Sequence, residues 1–215
     1  MPGASSPATS VVRGVPYIAT WSGERTCNTT LTHQAKGLTF FDPRCDDRDR
    51  ADVLWSRKAE RLGRGKAQFA GVHPRRQRRA MQDLLCQVCG RSADVNDLGV
   101  LWLEPINPGD PLRGETTHPP VCVPCAVGAM RSCPRLRRTG AHVLRVRHPK
   151  PWGVHGVLYC PALNGTLHPE EAVEVSYWDS EAQWVLATQM ITTLDGATPV
   201  DLAEEHARYL ARGTT

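Results

Sequence analysis

The stretch LLCQVCGRSADVNDLGVLWLEP, residues 84–105, carries two cysteines three positions apart, then a glycine and an apolar segment. A second pair with the same spacing stands in PPVCVPC, residues 119–125. Two thiolates three residues apart on a tight turn reach the same ion, and two such pairs complete a tetrahedron. The residues predicted to hold one structural Zn²⁺ ion are Cys86, Cys89, Cys122 and Cys125. The alternative is four metal-free cysteines buried singly in a core.

The residues around the two pairs predict how the chain runs between them. Gly90 suits a knuckle turn, which needs a residue that tolerates positive φ. LGVLWLEP, residues 98–105, predicts a short buried strand, and residues 106–120 form a loop rich in Gly and Pro. CVPCAVGAM, residues 122–130, predicts a short helix that stops at Pro134.

The length and composition indicate a globular protein. The chain has 215 residues, of which 40% are hydrophobic, so disorder of the whole chain is not expected. It has no apolar run of the roughly 18 residues that a membrane span needs, and its N-terminus lacks the features of a signal peptide. We therefore expect no membrane association and a cytoplasmic location, where closely spaced cysteines favour metal binding or catalysis over disulfides.

Charge is unevenly distributed along the chain. Residues 56–80 hold nine Lys or Arg and one Glu, and residues 131–150 hold seven and no acid. Residues 170–205 hold nine acids and no Lys or Arg. Such asymmetry is typical of a surface that meets an anion, commonly nucleic acid. A GC-rich codon bias is the competing explanation, because 22 of the 26 basic residues are Arg.

The segment VHPRRQRRAMQDLLC, residues 72–86, predicts a helix with Pro74 at its first position. Its arginines crowd the N-terminal end, where the helix dipole disfavours cations. This arrangement favours an external anion, with a solvated basic surface as the alternative. The residues predicted to contact the phosphates of DNA or RNA are Arg75, Arg76, Arg78, Arg79, Arg135, Arg137 and Arg138.

The chain divides by pattern into a tail (1–14), a small β-rich region with a basic linker (15–73), a zinc module (74–140) and a C-terminal unit (141–215). The fold class predicted is α+β, with a treble-clef four-cysteine module followed by a small antiparallel sheet and two C-terminal helices. Extended runs at 15–21 and 37–41 account for the β-rich region.

In the C-terminal unit, AHVLRVRH (141–148) and VHGVLYC (154–160) are predicted to form a hairpin, with a third strand at 172–178. His168-Pro169-Glu170 is interpreted as a helix start. One C-terminal helix is predicted to begin at Ser180, on the spacing of its apolar residues, and the other at Thr198 as cap.

The order of cysteine knuckle, apolar strand, long loop and second pair opening a helix resembles the treble-clef zinc fold. With the run R-x-R-R-A followed by C-x-x-C-G, residues 74–133 resemble the zinc scaffold of HNH nucleases. The chain also resembles actinobacterial proteins, a resemblance that implies no activity. HNH nucleases carry a catalytic His at the end of the first hairpin strand, where this chain has LWLEPINP. Glu104 stands near that position, with Asn107 close by and His118 at the far end of the loop.

These features favour a zinc-stabilised, non-catalytic protein that binds nucleic acid through arginines. One alternative is a protein-interaction adaptor whose acidic C-terminal helices dock a protein partner. Another is a degenerate HNH-like metal-dependent nuclease using Glu104, Asn107 and His118, or another enzyme.

The remaining cysteines and acids offer weaker candidates. Cys133 could replace a zinc ligand or pack in the core, and a second metal site could form from Cys27, His33 and Cys45, with or without Cys160. The acids between residues 42 and 52 alternate with arginines, which favours a surface salt-bridge network over a divalent-ion site.

Overall fold

The computed structural model describes residues 14–27, 29–109 and 111–212. The predicted tail, residues 1–14, lies outside the described residues except for Gly14. Within the described ranges there are twelve strands: β1 (Ala19–Trp21), β2 (Leu31–Gln34), β3 (Gly37–Phe40), β4 (Ala67–Val72), β5 (Val95–Asn96), β6 (Gly99–Pro105), β7 (Glu115–Thr116), β8 (Ala141–Val146), β9 (Pro151–Pro161), β10 (Leu167–Ser176), β11 (Val185–Thr193) and β12 (Ala197–Pro199).

The same residues contain four α-helices and one 3₁₀ helix, the latter at Ser180–Trp184. The α-helices are α1 (Pro74–Gln82), α2 (Val123–Ser132), α3 (Pro134–Thr139) and α4 (Leu202–Arg212). In this part of the chain no helix has both the length and the apolar character that crossing a bilayer requires. The fold therefore mixes helices with antiparallel sheets, as the sequence predicts.

Two four-stranded antiparallel sheets form the body of the fold. One has the order β10-β9-β11-β7 and the other β12-β8-β6-β5, while β1 with β4 and β2 with β3 form two-stranded ribbons. In the second sheet, β6 pairs with β8 from Val100 opposite Val146 to Pro105 opposite Ala141. The domain boundary predicted at residue 140 therefore falls between two strands that share one ladder.

Helix α1 joins the first sheet to the rest of the molecule. It begins with Pro74, as predicted, and buries Met81 against the core that includes Val154 and Met190. The side-chain amide of Gln77 donates to Met190 O at 2.9 Å, and its carbonyl oxygen accepts from Met190 N at 2.8 Å. Gln77 therefore satisfies both backbone groups of Met190, which a helix packed on a sheet would otherwise leave buried and unpaired.

Several arginines are buried inside the fold with carboxylate partners. Arg76 is fully buried, and its guanidinium makes a two-point contact with Glu24 at 2.5 and 2.8 Å. Arg145 is also fully buried, and it contacts Glu205 and, at 2.6 Å, Asp94. Because a buried charge is tolerated only when paired and hydrogen-bonded, these arginines hold the interior together and are not available to a ligand.

The predicted hairpin between residues 141–148 and 154–160 is wrong. Both segments are strands, but β8 pairs with β6 and β12, whereas β9 pairs with β10 and β11. The short link suggested a hairpin, but the chain passes from one sheet to the other between His148 and Pro151.

The two predicted C-terminal helices are also corrected. Residues 185–193 form strand β11, because a segment in which five of nine residues are β-branched suits pairing with β9 despite its helical spacing. Residues 168–170 lie in β10 and do not start a helix. The last helix begins at Leu202, where Asp201 Oδ1 caps it by accepting from the backbone N–H of Ala203 at 2.8 Å and that of Glu204 at 2.9 Å.

We expect Glu24→Gln to lower the free energy of unfolding by about 3–5 kcal/mol, because it leaves the Arg76 charge buried without a partner. Urea denaturation measures the change. The matched control is Asp195→Asn, which breaks an ion pair with Lys150 whose side chains are 59% and 70% exposed, and should cost less than about 1 kcal/mol. Equal losses in both variants would contradict the role of Arg76.

We also expect a pH dependence of stability from His73, which is fully buried near Glu24 and Arg76. Burial, followed by the neighbouring Arg76 charge, lowers the pKa of His73 to about 4 from an ordinary 6.5. The unfolded chain therefore binds a proton at a higher pH than the folded chain does, and stability falls as pH drops below 6.5. Between pH 7 and pH 5 the loss should be about 2 kcal/mol. Urea denaturation of a His73→Asn variant should lack this component, and an unchanged slope would contradict the assignment.

Candidate metal centre

The first cysteine pair sits on a tight turn held by its own backbone. Cys86 N donates to Arg91 O at 2.6 Å, and Cys86 O accepts from Gly90 N at 2.8 Å. Gly90 has a φ of +69°, as the sequence predicts for this position. A Cβ there would also lie 2.9 Å from the ring of Tyr17, so glycine is required by both conformation and space.

The second pair lies at the start of α2. Cys122 precedes the first residue of the helix, and its carbonyl accepts from Ala126 N at 2.9 Å, so Cys125 falls within the first turn. The metal-ligating atoms of the four cysteines all lie within 4.8 Å of one another. The Sγ atoms of Cys89 and Cys122 are 3.8 Å apart. A tetrahedron with metal–sulfur bonds of 2.3 Å has edges of about 3.8 Å, so the spacing fits one metal ion.

Backbone and side-chain contacts fasten the two pairs together. Gln87, between the first two cysteines, donates through its backbone N–H to Pro120 O at 2.9 Å and through its side chain to Pro119 O at 2.8 Å. Val121 N donates to Leu101 O in β6 at 2.9 Å. Cys86 and Cys89 are buried against apolar residues that include Leu101. The cluster therefore ties the knuckle, strand β6 and helix α2 into one unit.

The sulfurs perturb one another electrostatically. The hydrogen bond with Cys122 lowers the pKa of the Cys86 thiol, whereas the hydrogen bond between Cys122 and Cys125 raises the pKa of Cys125. A bound cation takes the place of the thiol protons, because the thiolate is the form that ligates a metal. The hydrogen bond with the Cys89 sulfur raises the pKa of Arg91, so this guanidinium partly balances the thiolate charge. The sequence offered no signal for that contact.

The other cysteines do not join a metal cluster. Cys133 packs against the apolar core beside the four-cysteine site and is not one of its four members. In the part of the chain that the structure describes, the four cysteines form the only group with metal-ligand spacing, so Cys27, His33, Cys45 and Cys160 do not form a second site. The acidic stretch makes salt bridges with its own arginines, as predicted: Asp42 with Arg44 and Asp52 with Arg48. It also pairs with arginines outside it: Asp42 and the buried Asp47 with Arg57, and Asp46 with Arg75.

The arginines predicted to bind phosphate fall into two groups. On α1, Arg76 is buried, Arg75 is paired with Asp46 at 2.7 Å, and Arg79 is paired with Glu60 at 3.5 Å. Arg78 is half-buried, with its guanidinium 4.8 Å from the centre of the Trp55 ring. The prediction for Arg76 is therefore wrong, because its side chain is enclosed by protein.

The arginines of the second group are exposed. Arg135, Arg137 and Arg138 lie on α3. Arg131, which was not among the predicted residues, is exposed near the end of α2. Within the described ranges none of these four makes an ion pair with a carboxylate. Arg135 donates to Asn107 Oδ1 at 2.6 Å. These four positive charges are therefore available to an external anion.

The acidic C-terminal region has fewer helices available for docking a protein partner than the sequence predicts. Of the two helices expected there, the first is only a 3₁₀ helix at Ser180–Trp184 that leads into β11. The second is α4, whose Glu205 is buried against Arg145. Glu204 is within 3.6 Å of Arg208. The protein-partner alternative therefore loses the paired acidic helices on which it was based.

The fold brings Glu104 and His118 together, although fourteen positions separate them in the chain. His118 Nδ1 lies 3.1 Å from Glu104 Oε2 in a cavity of about 200 Å³. Asn107 also lines this cavity, but its amide oxygen is engaged by Arg135. Spacing alone gave no support for this contact, which depends on the loop 106–120 returning to β6.

Comparisons with protein-family models, with curated proteins and with solved structures find no significant match. The likeness to the HNH scaffold therefore rests on the residues of this chain alone and stays a prediction, as does metal-dependent nuclease activity.

We expect Cys86→Ser to reduce the metal content of the purified protein from about one ion per chain to near zero, because three thiolates leave the tetrahedron open. Elemental analysis and thermal unfolding measure the two consequences, loss of metal and loss of stability. Cys160→Ser is the matched control, since Cys160 is exposed and outside the cluster. Metal retained in the Cys86 variant, or lost equally in the control, would contradict the assignment.

Proposed function

We propose that the four-cysteine cluster binds Zn²⁺ and that the ion has a structural role. Four thiolates in tetrahedral array suit Zn²⁺ or iron, and zinc sites closed by four protein ligands are structural. The 3.8 Å sulfur separation and the burial of Cys86 and Cys89 support this assignment. The order of knuckle, β5–β6 hairpin and α2 supports a treble-clef arrangement around the ion. Elemental analysis distinguishes zinc from iron directly.

We further propose that the protein binds DNA or RNA through the arginine corner, defined as Arg131, Arg135, Arg137 and Arg138. The observation that carries this proposal is that these four arginines are exposed and lack carboxylate partners within the described residues. Four guanidinium groups without carboxylate partners, at the end of α2 and on α3, attract a polyanion and can make bidentate contacts with phosphate oxygens. The ion holds α2 in place and so supports α3, which follows directly.

The arginines of α1 have a secondary part in this proposal. Arg75 and Arg79 are exposed but already face Asp46 and Glu60. Exposed ion pairs of this kind contribute at most about 1 kcal/mol, so a phosphate could exchange for the carboxylate. Arg76 takes no part, since a phosphate could reach it only if the fold opened.

The reducing cytoplasm is the compartment we propose for this function. All eight cysteines lie in the described residues and none of them forms a disulfide there, including the exposed Cys45 and Cys160. Free thiols and thiolate–metal sites both persist where disulfides are rare.

We expect binding to weaken steeply with salt, because each phosphate contact releases a counterion. The slope of log K against log salt should be close to −0.9 per contact for duplex DNA and about −0.7 for single strands. Fluorescence anisotropy with duplex and single-stranded oligonucleotides at several salt concentrations measures it.

The variant that tests the arginine corner is Arg135→Ala, Arg137→Ala and Arg138→Ala combined, which should reduce the slope by about 2–3. The matched control removes the same charge from exposed residues elsewhere, through Arg25→Ala, Arg50→Ala and Arg64→Ala combined. Binding that is absent at low salt, indifferent to salt, or reduced equally by both triple variants would contradict the proposal.

A further inference from the structure

The cavity beside the arginine corner contains an organised set of proton-transfer groups. It encloses about 200 Å³ next to the end of β6, and its walls include two imidazoles, His118 and His142. Glu104 and Arg113 also line it. None of these residues belongs to the four-cysteine cluster.

Hydrogen bonds hold His118 in one orientation. A carboxylate only accepts, so His118 Nδ1 carries the proton in its 3.1 Å contact with Glu104 Oε2. Thr116 Oγ1 donates to the other oxygen of Glu104 at 2.8 Å and accepts from His118 N at 2.9 Å. Trp102 Nε1 donates to His118 O at 2.7 Å, which anchors the backbone. The lone pair is therefore on Nε2, the nitrogen that acts as a base when a carboxylate orients the ring.

His142 is the second imidazole of the cavity. It lies on β8 directly opposite Glu104 on β6, so the two side chains project from the same face of the sheet. His118 and His142 thus flank one carboxylate within a single cavity. Two imidazoles placed in this way provide a base and an acid for the same reaction.

The surroundings indicate which substrate such a pair would serve. Asn107 lines the cavity and accepts from Arg135 at 2.6 Å, so one arginine of the arginine corner lies at the cavity edge. Glu174, another acid in the wall, is paired with Arg113 at 2.8 Å. The two imidazoles that line the cavity can exchange protons with a substrate without a cofactor. RNA suits that chemistry, because its 2′-hydroxyl supplies the nucleophile from within the substrate.

We propose that this cavity cleaves RNA by metal-independent transphosphorylation, with His118 as general base, His142 as general acid and Glu104 as positioning residue. The inference rests on the proposed nucleic-acid binding and adds a substrate class and a reaction to it.

The step balances without a cofactor. His118 Nε2 takes the proton of the 2′-hydroxyl as its oxygen forms a bond to phosphorus. The bond from phosphorus to the 5′ oxygen breaks, and protonated His142 gives its proton to that oxygen. The products are a 2′,3′-cyclic phosphate and a 5′-hydroxyl end.

The test uses the full chain with its bound metal, no added divalent ion, and two substrates: a labelled RNA oligomer and an RNA dinucleotide too short to span the arginine corner. We expect both to yield the cyclic phosphate, and a 2′-deoxy substitution at the cleaved nucleotide to abolish the reaction. His118→Ala and His142→Ala should each lower kcat/KM by about 10² or more. Glu104→Gln should lower kcat while leaving KM for the dinucleotide and the metal content unchanged.

His148→Ala is the matched control, because His148 is exposed and outside the cavity. Failure to cleave either RNA while the oligomer still binds overturns the inference and leaves the proposed function standing. Cleavage of the dinucleotide without salt-dependent binding of the oligomer overturns the proposed function instead. Activity that survives His118→Ala, requires added Mg²⁺ or Mn²⁺, or acts equally on DNA also overturns the inference.

Discussion

The convergence of four cysteine sulfurs is the constraint on which the neighbouring structure depends. The knuckle at Cys86 and Cys89 and the first turn of α2 are distant in sequence, and each is too short to be stable alone. Bringing their sulfurs within 4.8 Å of one another fixes the position of α2 relative to β6. Helix α3, with its arginines, follows α2, and the cavity lies beside β6. Loss of the cysteine cluster would therefore alter both surfaces, although neither includes a cysteine.

The arginines of the chain occupy two different environments. Arg76 and Arg145 are buried with carboxylates, where each satisfies backbone or side-chain acceptors that the fold would otherwise leave unpaired. The arginines of α3 are solvated and unpaired by acid within the described residues. Counting charges along the chain cannot separate these cases, because both give the same local excess of Arg. The acids that neutralise the buried arginines come from elsewhere in the sequence.

The Glu104–His118 contact shows how a site forms from residues without a recognisable motif. In the sequence, Glu104 stands near the position of the HNH catalytic His and His118 at the far end of the loop, and nothing in the spacing connects them. The contact forms because Thr116 and Trp102 hold the returning loop against β6. Because the Glu104 carboxylate accepts a hydrogen bond from His118 Nδ1, the lone pair of the ring is on Nε2, which can then act as a base.

The sequence by itself determined the features that depend on neighbouring residues: the two cysteine pairs, the positive φ of Gly90, the start of α1 at Pro74 and the strand that became β6. Each follows from local sterics or short-range periodicity, which a few residues encode. Only the tertiary structure decided that residues 185–193 form a strand, that β8 and β9 belong to different sheets, and which arginines are buried. Those outcomes depend on partners far along the chain, and the energy of pairing and burial overrides the local pattern.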